Sequence, residues 1–211
     1  MCSIIGSFKK DKLAELADLN RYRGEHSHSL YVFCPETNNI KFQHKALGSL
    51  NFNEHELPDG YIVAHQQAPT TEKLDNNIHP AEWKNNLLWH NGIIKASTVK
   101  RLQEIHESDE TWDTKLMLHN LDKFHETHAL EELDGSFSCL WMRQRKYGPE
   151  LVLFRNEISP MFIDDDFNIS STKFKGAKPT EANTIHFFDM NYMQLAADTK
   201  FKTVNNPYYG I

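Results

Sequence analysis

The chain has 211 residues and a formal net charge of −6, from 29 acidic and 23 basic side chains. A chain of this length can bury a sizeable core without disulfide or metal support, and its acidic balance argues against nucleic acid or an anionic membrane as partner. The mean hydropathy is −0.61, and no apolar run reaches the roughly 18 residues of a membrane span. The N-terminus has no secretory signal pattern, so the sequence predicts a cytoplasmic protein.

In chain order, the apolar pattern predicts few helices and many strands. A strand is expected at residues 2–8, followed by a helix with Leu13, Leu16 and Ala17 on one face that ends near residue 24. Further helices are expected at 98–106 and 113–125, and a polar, turn-rich segment at 69–79. The other predicted strands are 30–34, 40–43, 61–67, 87–90 (broken at Asn91-Gly92), 136–142, 151–155, 161–163, 167–171 and 184–190. With no repeat or linker, the pattern predicts one α+β domain over residues 1–211 with largely antiparallel sheets.

The cysteines and histidines do not form a recognisable ligand motif. Cys2, Cys34 and Cys139 are scattered and include no C-x-x-C pair, which argues against a disulfide framework or a zinc ribbon. The histidine-rich segment 125–128 reads His-Glu-Thr-His and not the H-E-x-x-H of a zinc protease. We therefore expect no metal and no organic cofactor, and solvated or capping histidines.

Cys2 is the most informative single residue, because removal of Met1 would expose its α-amine beside its thiol. An amine with a pKa of about 7.7 to 8.0 is a suitable base for a thiol with a pKa of about 8.5, so one residue would supply both nucleophile and base. Taken alone, Cys2 is better explained as an ordinary buried cysteine. The motifs that follow Cys2 in the sequence favour the catalytic interpretation.

Those motifs stand in a fixed order along the chain. They are CSIIGSF at 2–8, RYRG at 21–24, AH at 64–65, HNG at 90–92, Asp113 before an apolar helix, LDGSF at 133–137, Arg155 and Pro160. In type and spacing, the series resembles the class II glutamine amidotransferase family, the N-terminal-nucleophile glutaminase domains of asparagine synthetase and of the amidotransferases of purine and glucosamine synthesis. The resemblance covers about residues 2–195. It implies a four-layer αββα sandwich with two mainly antiparallel sheets.

The resemblance also implies catalytic roles. Cys2 would attack the side-chain amide of glutamine, forming a thioester and releasing ammonia before water releases glutamate. Asn91 and Gly92 would form the oxyanion hole, although Asn-Gly is also the commonest hairpin turn signal. Asp113 would bind the α-ammonium group of glutamine, and a helix N-cap is the equally weighted alternative for this residue.

The substrate-binding loop departs from the family pattern at one position. Gln67 stands where the family has an arginine that clamps the α-carboxylate of glutamine, and a neutral amide binds a carboxylate more weakly. Lys73 and Lys95 are the nearest substitute cations in sequence. Thr70 matches a threonine of the family loop and His65 a histidine before it, although a lone histidine on an apolar strand is more often a core residue.

Two further matched pairs, Arg23 with Gly24 and Arg155 with Pro160, occupy positions that shape and support the family site.

Members of the family join the glutaminase to a domain that consumes the ammonia. The resemblance implies a small amide such as glutamine as the substrate. Since this chain ends at Ile211, we expect the ammonia to be released to water or passed to an acceptor subunit in trans. Two alternatives stay open: hydrolysis of a different amide, and an inactive module that binds a ligand or a partner protein.

Overall fold

The computed structural model of the protein describes residues 2–68, 77–146 and 148–204. Four α-helices lie within these residues: α1 (Lys10–Asn20), α2 (Ala96–His106), α3 (Asp113–Lys123) and α4 (Glu126–Glu131). None of the helices in the described ranges is long and apolar enough to cross a membrane. The strands are β1 (Ser3–Ser7), β2 (Ser27–Phe33), β3 (Ile40–Leu47), β4 (Tyr61–Gln67), β5 (Ala81–Trp83), β6 (Asn86–Ile94), β7 (Gly135–Arg145), β8 (Gly148–Arg155), β9 (Phe162–Ile163), β10 (Ile169–Ser170), β11 (Lys178–Pro179), β12 (Thr184–Asp189) and β13 (Gln194–Lys200).

The strands form two sheets in which all paired neighbours are antiparallel. Sheet A has the order β11-β9-β10-β1-β4-β2-β3, and sheet B has the order β13-β12-β8-β7-β6-β5. Side chains alternate between the faces of a strand, so Ile4 of β1 points to the space between the sheets and Ile5 points to the outer face of sheet A. This alternation separates three hydrophobic cores.

The central core lies between the two sheets. Tyr31 and Phe33 of sheet A meet Trp89 of sheet B, with the Tyr31 and Trp89 ring centroids 5.1 Å apart in an edge-to-face arrangement. Such pairs add to the stabilisation that burial of the rings already supplies. The central core therefore fixes how sheet A stacks on sheet B.

The outer faces of the sheets are covered by helices. Leu13 and Leu16 of α1 pack on the outer face of sheet A, and α2, α3 and α4 cover the outer face of sheet B through residues such as Leu102, Met117 and Leu130. The layers are thus helix, sheet, sheet, helix. The predicted α+β class and αββα sandwich are confirmed.

Most predicted elements are present, and the differences have local causes. The predicted break at Asn91-Gly92 is wrong, because β6 continues through both residues in register with β7. The third helix ends at Lys123, where Phe124 adopts an extended conformation, and the short α4 follows. Strands β5, β11 and β13 were not predicted: β5 and β11 are two or three residues long, and β13 (QLAADTK) is a largely exposed edge strand without apolar alternation.

Candidate functional site

A cavity of about 1160 Å³ opens at one end of the two sheets. Its wall combines the start of β1, the ends of β4 and β6, the start of β7 and the first turns of α2 and α3. Among the sequence-predicted site residues, Cys2, Gln67, Gly92 and Asp113 line it. Four residues that are far apart in sequence therefore meet around one space.

Cys2 lies at the start of β1 and is 5% exposed. Its Sγ donates to the carbonyl oxygen of Ala68 at 3.9 Å. Burial raises the pKa of the Cys2 thiol, and the nearby Asp113 carboxylate adds to this, while the Ala68 contact and Arg23 partly offset it. A thiol with a raised pKa is mostly protonated at neutral pH, so it needs an adjacent base to become a nucleophile.

The other two cysteines lie elsewhere, and all three are free thiols. Cys139 is fully buried in the core beneath the helices on sheet B, and burial raises its pKa well above the ordinary value. Cys34 follows β2 at the surface, where its Sγ donates to Glu36 at 2.8 Å. Neither lines the cavity, so Cys2 is the thiol that a bound substrate would meet.

Gly92 lies at the edge of the cavity, where β6 pairs with β7. Its φ is +156°, and a methyl group in place of its hydrogen would stand 1.9 Å from the carbonyl oxygen of Ser136 and 2.7 Å from Nε2 of His90. Both distances are far below van der Waals contact, so the site requires glycine. Because both residues are paired with β7, the hairpin turn that Asn-Gly signals in the sequence does not form.

Asn91 lies one residue before that edge; its side chain is 3% exposed and is not among the residues that line the cavity. Its Nδ2 is 3.5 Å from the hydroxyl oxygens of both Ser138 and Ser159, at the outer limit of hydrogen bonding. The Asn91 amide is therefore a weakly engaged hydrogen-bond donor. Asn91 lies on β6, which contacts β1 of the other sheet.

Two supporting segments match the family positions that were expected to shape the site. Arg23 donates from Nη1 to the carbonyl oxygen of Cys2 at 3.4 Å and from Nη2 to that of Ser171 at 3.2 Å. A methyl group at Gly24 would stand 2.1 Å from the backbone nitrogen of Ala68. The close approach at Gly24 thus fixes the backbone segment whose carbonyl meets the Cys2 thiol.

The segment after β8 supports the other side of the site. Arg155 donates from Nη1 to the carbonyl oxygen of Asn156 at 3.0 Å, and the Asn156 side chain donates to the carbonyl of Gly135 at 2.7 Å. Ser159 donates to the carbonyl oxygen of Asn91 at 2.7 Å. These bonds tie β6 and the start of β7 to one loop.

Asp113 is the first residue of α3, so it is not the N-cap residue, which is Trp112. Its carboxylate accepts hydrogen bonds from the backbone nitrogens of Thr114 at 2.7 Å and Ile94 at 3.1 Å. A negative charge in a first helical turn is stabilised by the helix dipole. The carboxylate also lines the cavity and retains acceptor capacity for a bound cationic group.

Gln67 is held by neutral partners on every side. Its Nε2 donates to the carbonyl oxygen of Asn77 at 3.0 Å, and its Oε1 accepts from the hydroxyl of Ser27 at 3.2 Å and from Nδ1 of His79 at 3.1 Å. A guanidinium has no acceptor for those two donors. The amide at position 67 therefore suits its surroundings, and Thr70 and Lys73, predicted in the same loop, lie outside the described residues.

A buried pair of histidines, which the sequence did not single out as functional, continues this network. Since Nδ1 of His79 donates to Gln67, its Nε2 is an acceptor, and it lies 3.1 Å from Oγ1 of Thr114. Nε2 of His90 donates to the carbonyl of Ser136 at 3.2 Å, and its Nδ1 also lies 3.1 Å from that hydroxyl. The Thr114 hydroxyl also lies 3.3 Å from Oδ1 of Asp113, and its single hydrogen cannot satisfy both rings and that carboxylate at once.

His65 is 1% exposed and does not line the cavity, so the structure places it in the supporting layer. Its Nε2 lies 3.2 Å from the carbonyl oxygen of His90, and its ring stacks on His79 with centroids 4.1 Å apart. Burial lowers the pKa of His65 to about 3, and burial also lowers the pKa of His79 well below its ordinary value. Both rings are neutral at physiological pH.

These lowered pKa values predict acid-sensitive stability. In the unfolded chain the two histidines bind protons below a pH of about 6.5, while in the folded protein they do not, so the free energy of unfolding falls as the pH drops from about 6.5 towards 3. Each such histidine contributes a slope of about 1.4 kcal/mol per pH unit in that window. Urea unfolding at several pH values should show a smaller slope for His65→Gln than for the wild-type protein.

Two lysines also line the cavity. The Nζ of Lys95 forms an ion pair with Asp134 at 2.9 Å, and Lys100 lies on the exposed side of α2. Ile93, Ile94 and Trp112 add apolar surface beside them. The wall thus offers a thiol, a carboxylate, two cations and an apolar patch.

Comparison with known proteins identifies the fold. No protein-family model matches the sequence, and no curated protein matches it. Among solved structures, the glutamine phosphoribosylpyrophosphate amidotransferase from B. subtilis, complexed with ADP and GMP, superposes with a TM-score of 0.69 at 17% identity. The match covers 95% of this chain and 49% of that one, so this chain spans about half the length of the amidotransferase.

The chain shares its four-layer αββα fold with this amidotransferase. The superposition with a glutamine amidotransferase agrees with the class of enzyme that the motif series resembles. At 17% identity the match establishes architecture only.

Proposed function

We propose that the protein is an N-terminal-nucleophile amidohydrolase in which Cys2 hydrolyses the side-chain amide of glutamine. One observation carries the proposal: Cys2, Gly92 and Asp113, matched to family positions by sequence alone, line a single cavity. The amidotransferase-like sandwich supports the same interpretation. Removal of Met1, or of whatever precedes Cys2, is required for the activity.

The proposed first half-reaction forms a thioester. The α-amine of Cys2 takes the thiol proton, and the sulfur attacks the amide carbon. The backbone N–H of Gly92 stabilises the developing oxyanion, and Nδ2 of Asn91, only weakly engaged at 3.5 Å by Ser138 and Ser159, turns towards the oxyanion as the second donor. The protonated α-amine then gives its proton to the leaving nitrogen, so that ammonia departs and a γ-glutamyl thioester remains. A thiol is mostly protonated at neutral pH, so this base is needed to generate the thiolate.

The second half-reaction restores the enzyme. The same α-amine takes a proton from water, and the resulting hydroxide attacks the thioester carbon. The tetrahedral intermediate collapses to glutamate, and the sulfur leaves as a thiolate that recovers its proton from the ammonium group. The step needs no metal or organic cofactor. Ammonia passes to water or to an acceptor subunit in trans.

Glutamate and ammonia release from glutamine tests the proposal directly. The expected products are equimolar, and both should depend on Cys2. If Met1-processed protein produces neither compound, glutamine is not the substrate. If it hydrolyses other amides in the same assay, the second candidate below gains support.

Asp113 supplies a prediction about substrate binding. In the Asp113→Asn variant the α-ammonium of glutamine loses a charged partner, so KM should rise by about tenfold to a hundredfold with a smaller change in kcat. Steady-state kinetics with glutamine and with glutaramate, which lacks the α-amine, measure this. Glutaramate should have the same KM with both proteins, and Asp109→Asn, an exposed change before α3, should alter neither value. An equal loss with both substrates would contradict the role of Asp113.

A second candidate is hydrolysis of an amide that lacks an α-carboxylate. Gln67 offers no charge to a carboxylate and is already engaged by three neutral partners. The apolar surface of Ile93 and Trp112 also extends the cavity beyond the needs of one small polar substrate. A higher kcat/KM for such amides than for glutamine would favour this candidate.

A further inference from the structure

Three histidines converge on the outer face of sheet A, outside the cavity. His28 lies on β2, His44 lies on the neighbouring strand β3, and His55 directly follows a 3₁₀ turn (Phe52–Glu54). One possible ligand atom of each histidine lies within 4.8 Å of those of the other two. We call these three residues the histidine cluster.

The strand register explains why the first two meet. Leu30 pairs with His44 and His28 pairs with Ala46, so His28 and His44 are diagonal neighbours on one face of the sheet. Their ring centroids are 5.6 Å apart, and those of His44 and His55 are 4.4 Å apart with an interplanar angle of 50°. Tilted rings can direct in-plane nitrogens towards a common centre, which parallel stacked rings cannot do.

The backbone fixes the hydrogen on one of these rings. Nδ1 of His28 is 2.9 Å from the carbonyl oxygen of Gly48, which can only accept, so Nδ1 carries the hydrogen and Nε2 presents its lone pair. The backbone nitrogen of Gly48 in turn donates to the carbonyl of His26 at 2.7 Å. A carbonyl that orients an imidazole in this way is the usual support of a metal-ligating histidine.

We propose that His28, His44 and His55 bind one divalent first-row transition-metal ion, for which zinc is the test ion. Three imidazole nitrogens without a thiolate suit zinc, copper or nickel. A tetrahedral zinc site with Zn–N distances of about 2.0 to 2.1 Å has ligand nitrogens about 3.4 Å apart, so nitrogens now up to 4.8 Å apart must approach one another by up to about 1.4 Å. His44 and His55 are only half-buried and can rotate to do so.

The ion would have a structural consequence. β3 is the edge strand of sheet A, and His55 belongs to the segment that follows it. A metal bound by the histidine cluster would fasten that segment to both β2 and β3. Water or the carboxylate of Glu54, which precedes His55, would complete the coordination.

Calorimetric titration of metal-free, full-length protein with zinc tests the site. We expect one zinc per chain, a rise in Tm on binding, and at least a tenfold loss of affinity in a His44→Gln/His55→Gln double variant. His55→Gln alone, a change in a surface segment, should weaken binding without altering the Tm of the metal-free protein. The exposed His125→Gln is the matched control and should bind zinc as the wild type does.

Cobalt identifies the ligand type independently. Co²⁺ bound by the histidine cluster should give visible d–d bands without the near-ultraviolet sulfur-to-cobalt charge-transfer band that a Cys2 or Cys34 site would produce. Absence of zinc binding, equal binding by the double variant, or a sulfur charge-transfer band for the bound cobalt would each overturn the proposal.

Discussion

Replacement of Cys2 by alanine is expected to abolish amide hydrolysis, with a fall in kcat of at least about a thousandfold, because no other described thiol lines the cavity. The variant removes the attacking atom but keeps the N-terminal amine. Glutamate release measured at saturating glutamine gives the comparison. Because Cys2 is buried, the Tm of the variant must be measured beside the activity.

Cys34→Ala is the matched control for this experiment. Cys34 is a free thiol at the surface, and its replacement should leave kcat and KM unchanged. If Cys34→Ala lost the activity and Cys2→Ala kept it, the proposed nucleophile would be wrong.

Gly92→Ala is expected to have the second-largest effect. The added methyl group would lie 1.9 Å from a backbone oxygen of Ser136, so β6 and β7 must separate where they close the cavity. Displacement of one oxyanion donor typically costs about a hundredfold to a thousandfold in rate. The strain should also lower the free energy of unfolding by about 1 to 3 kcal/mol.

Gly148→Ala is the matched control that distinguishes the steric clash at Gly92 from the strain that any alanine suffers at a positive φ. Gly148 also has a positive φ, +125°, but a methyl group there would meet nothing within 4 Å. We expect this variant to lose some stability and to keep full activity. Kinetics and urea unfolding of both variants measure the two effects, and wild-type activity in Gly92→Ala would contradict the proposed role of this glycine.

The sequence predicted the architecture because burial leaves a clear pattern in the strands that form the centre. β4 has the predicted bounds, Tyr61–Gln67, since both of its faces are covered. The break predicted at Asn91-Gly92 failed because pairing with β7 outweighs the local turn preference of these two residues. β13, at an exposed edge, has no apolar periodicity to detect.

The candidate site was predictable only where family motifs mark it. Cys2, Gly92 and Asp113 carry such motifs, and they line the cavity. The contacts that link Gln67 to His79 and His79 to Thr114 span 12 and 35 positions of the chain, and tertiary packing alone creates them. The convergence of the histidine cluster likewise depends on strand register.

Whether Cys2 is an N-terminal nucleophile is tested by the intact mass of the purified protein before and after incubation with a diazoketone analogue of glutamine, with peptide mapping of the adduct. We predict that Met1 is absent, that each chain gains one adduct, and that the adduct lies on Cys2. A retained Met1 would block the α-amine, and with it the proposed base. Retention of Met1 in protein that still hydrolyses glutamine, or an adduct on another residue, would contradict the claim that Cys2 is an N-terminal nucleophile.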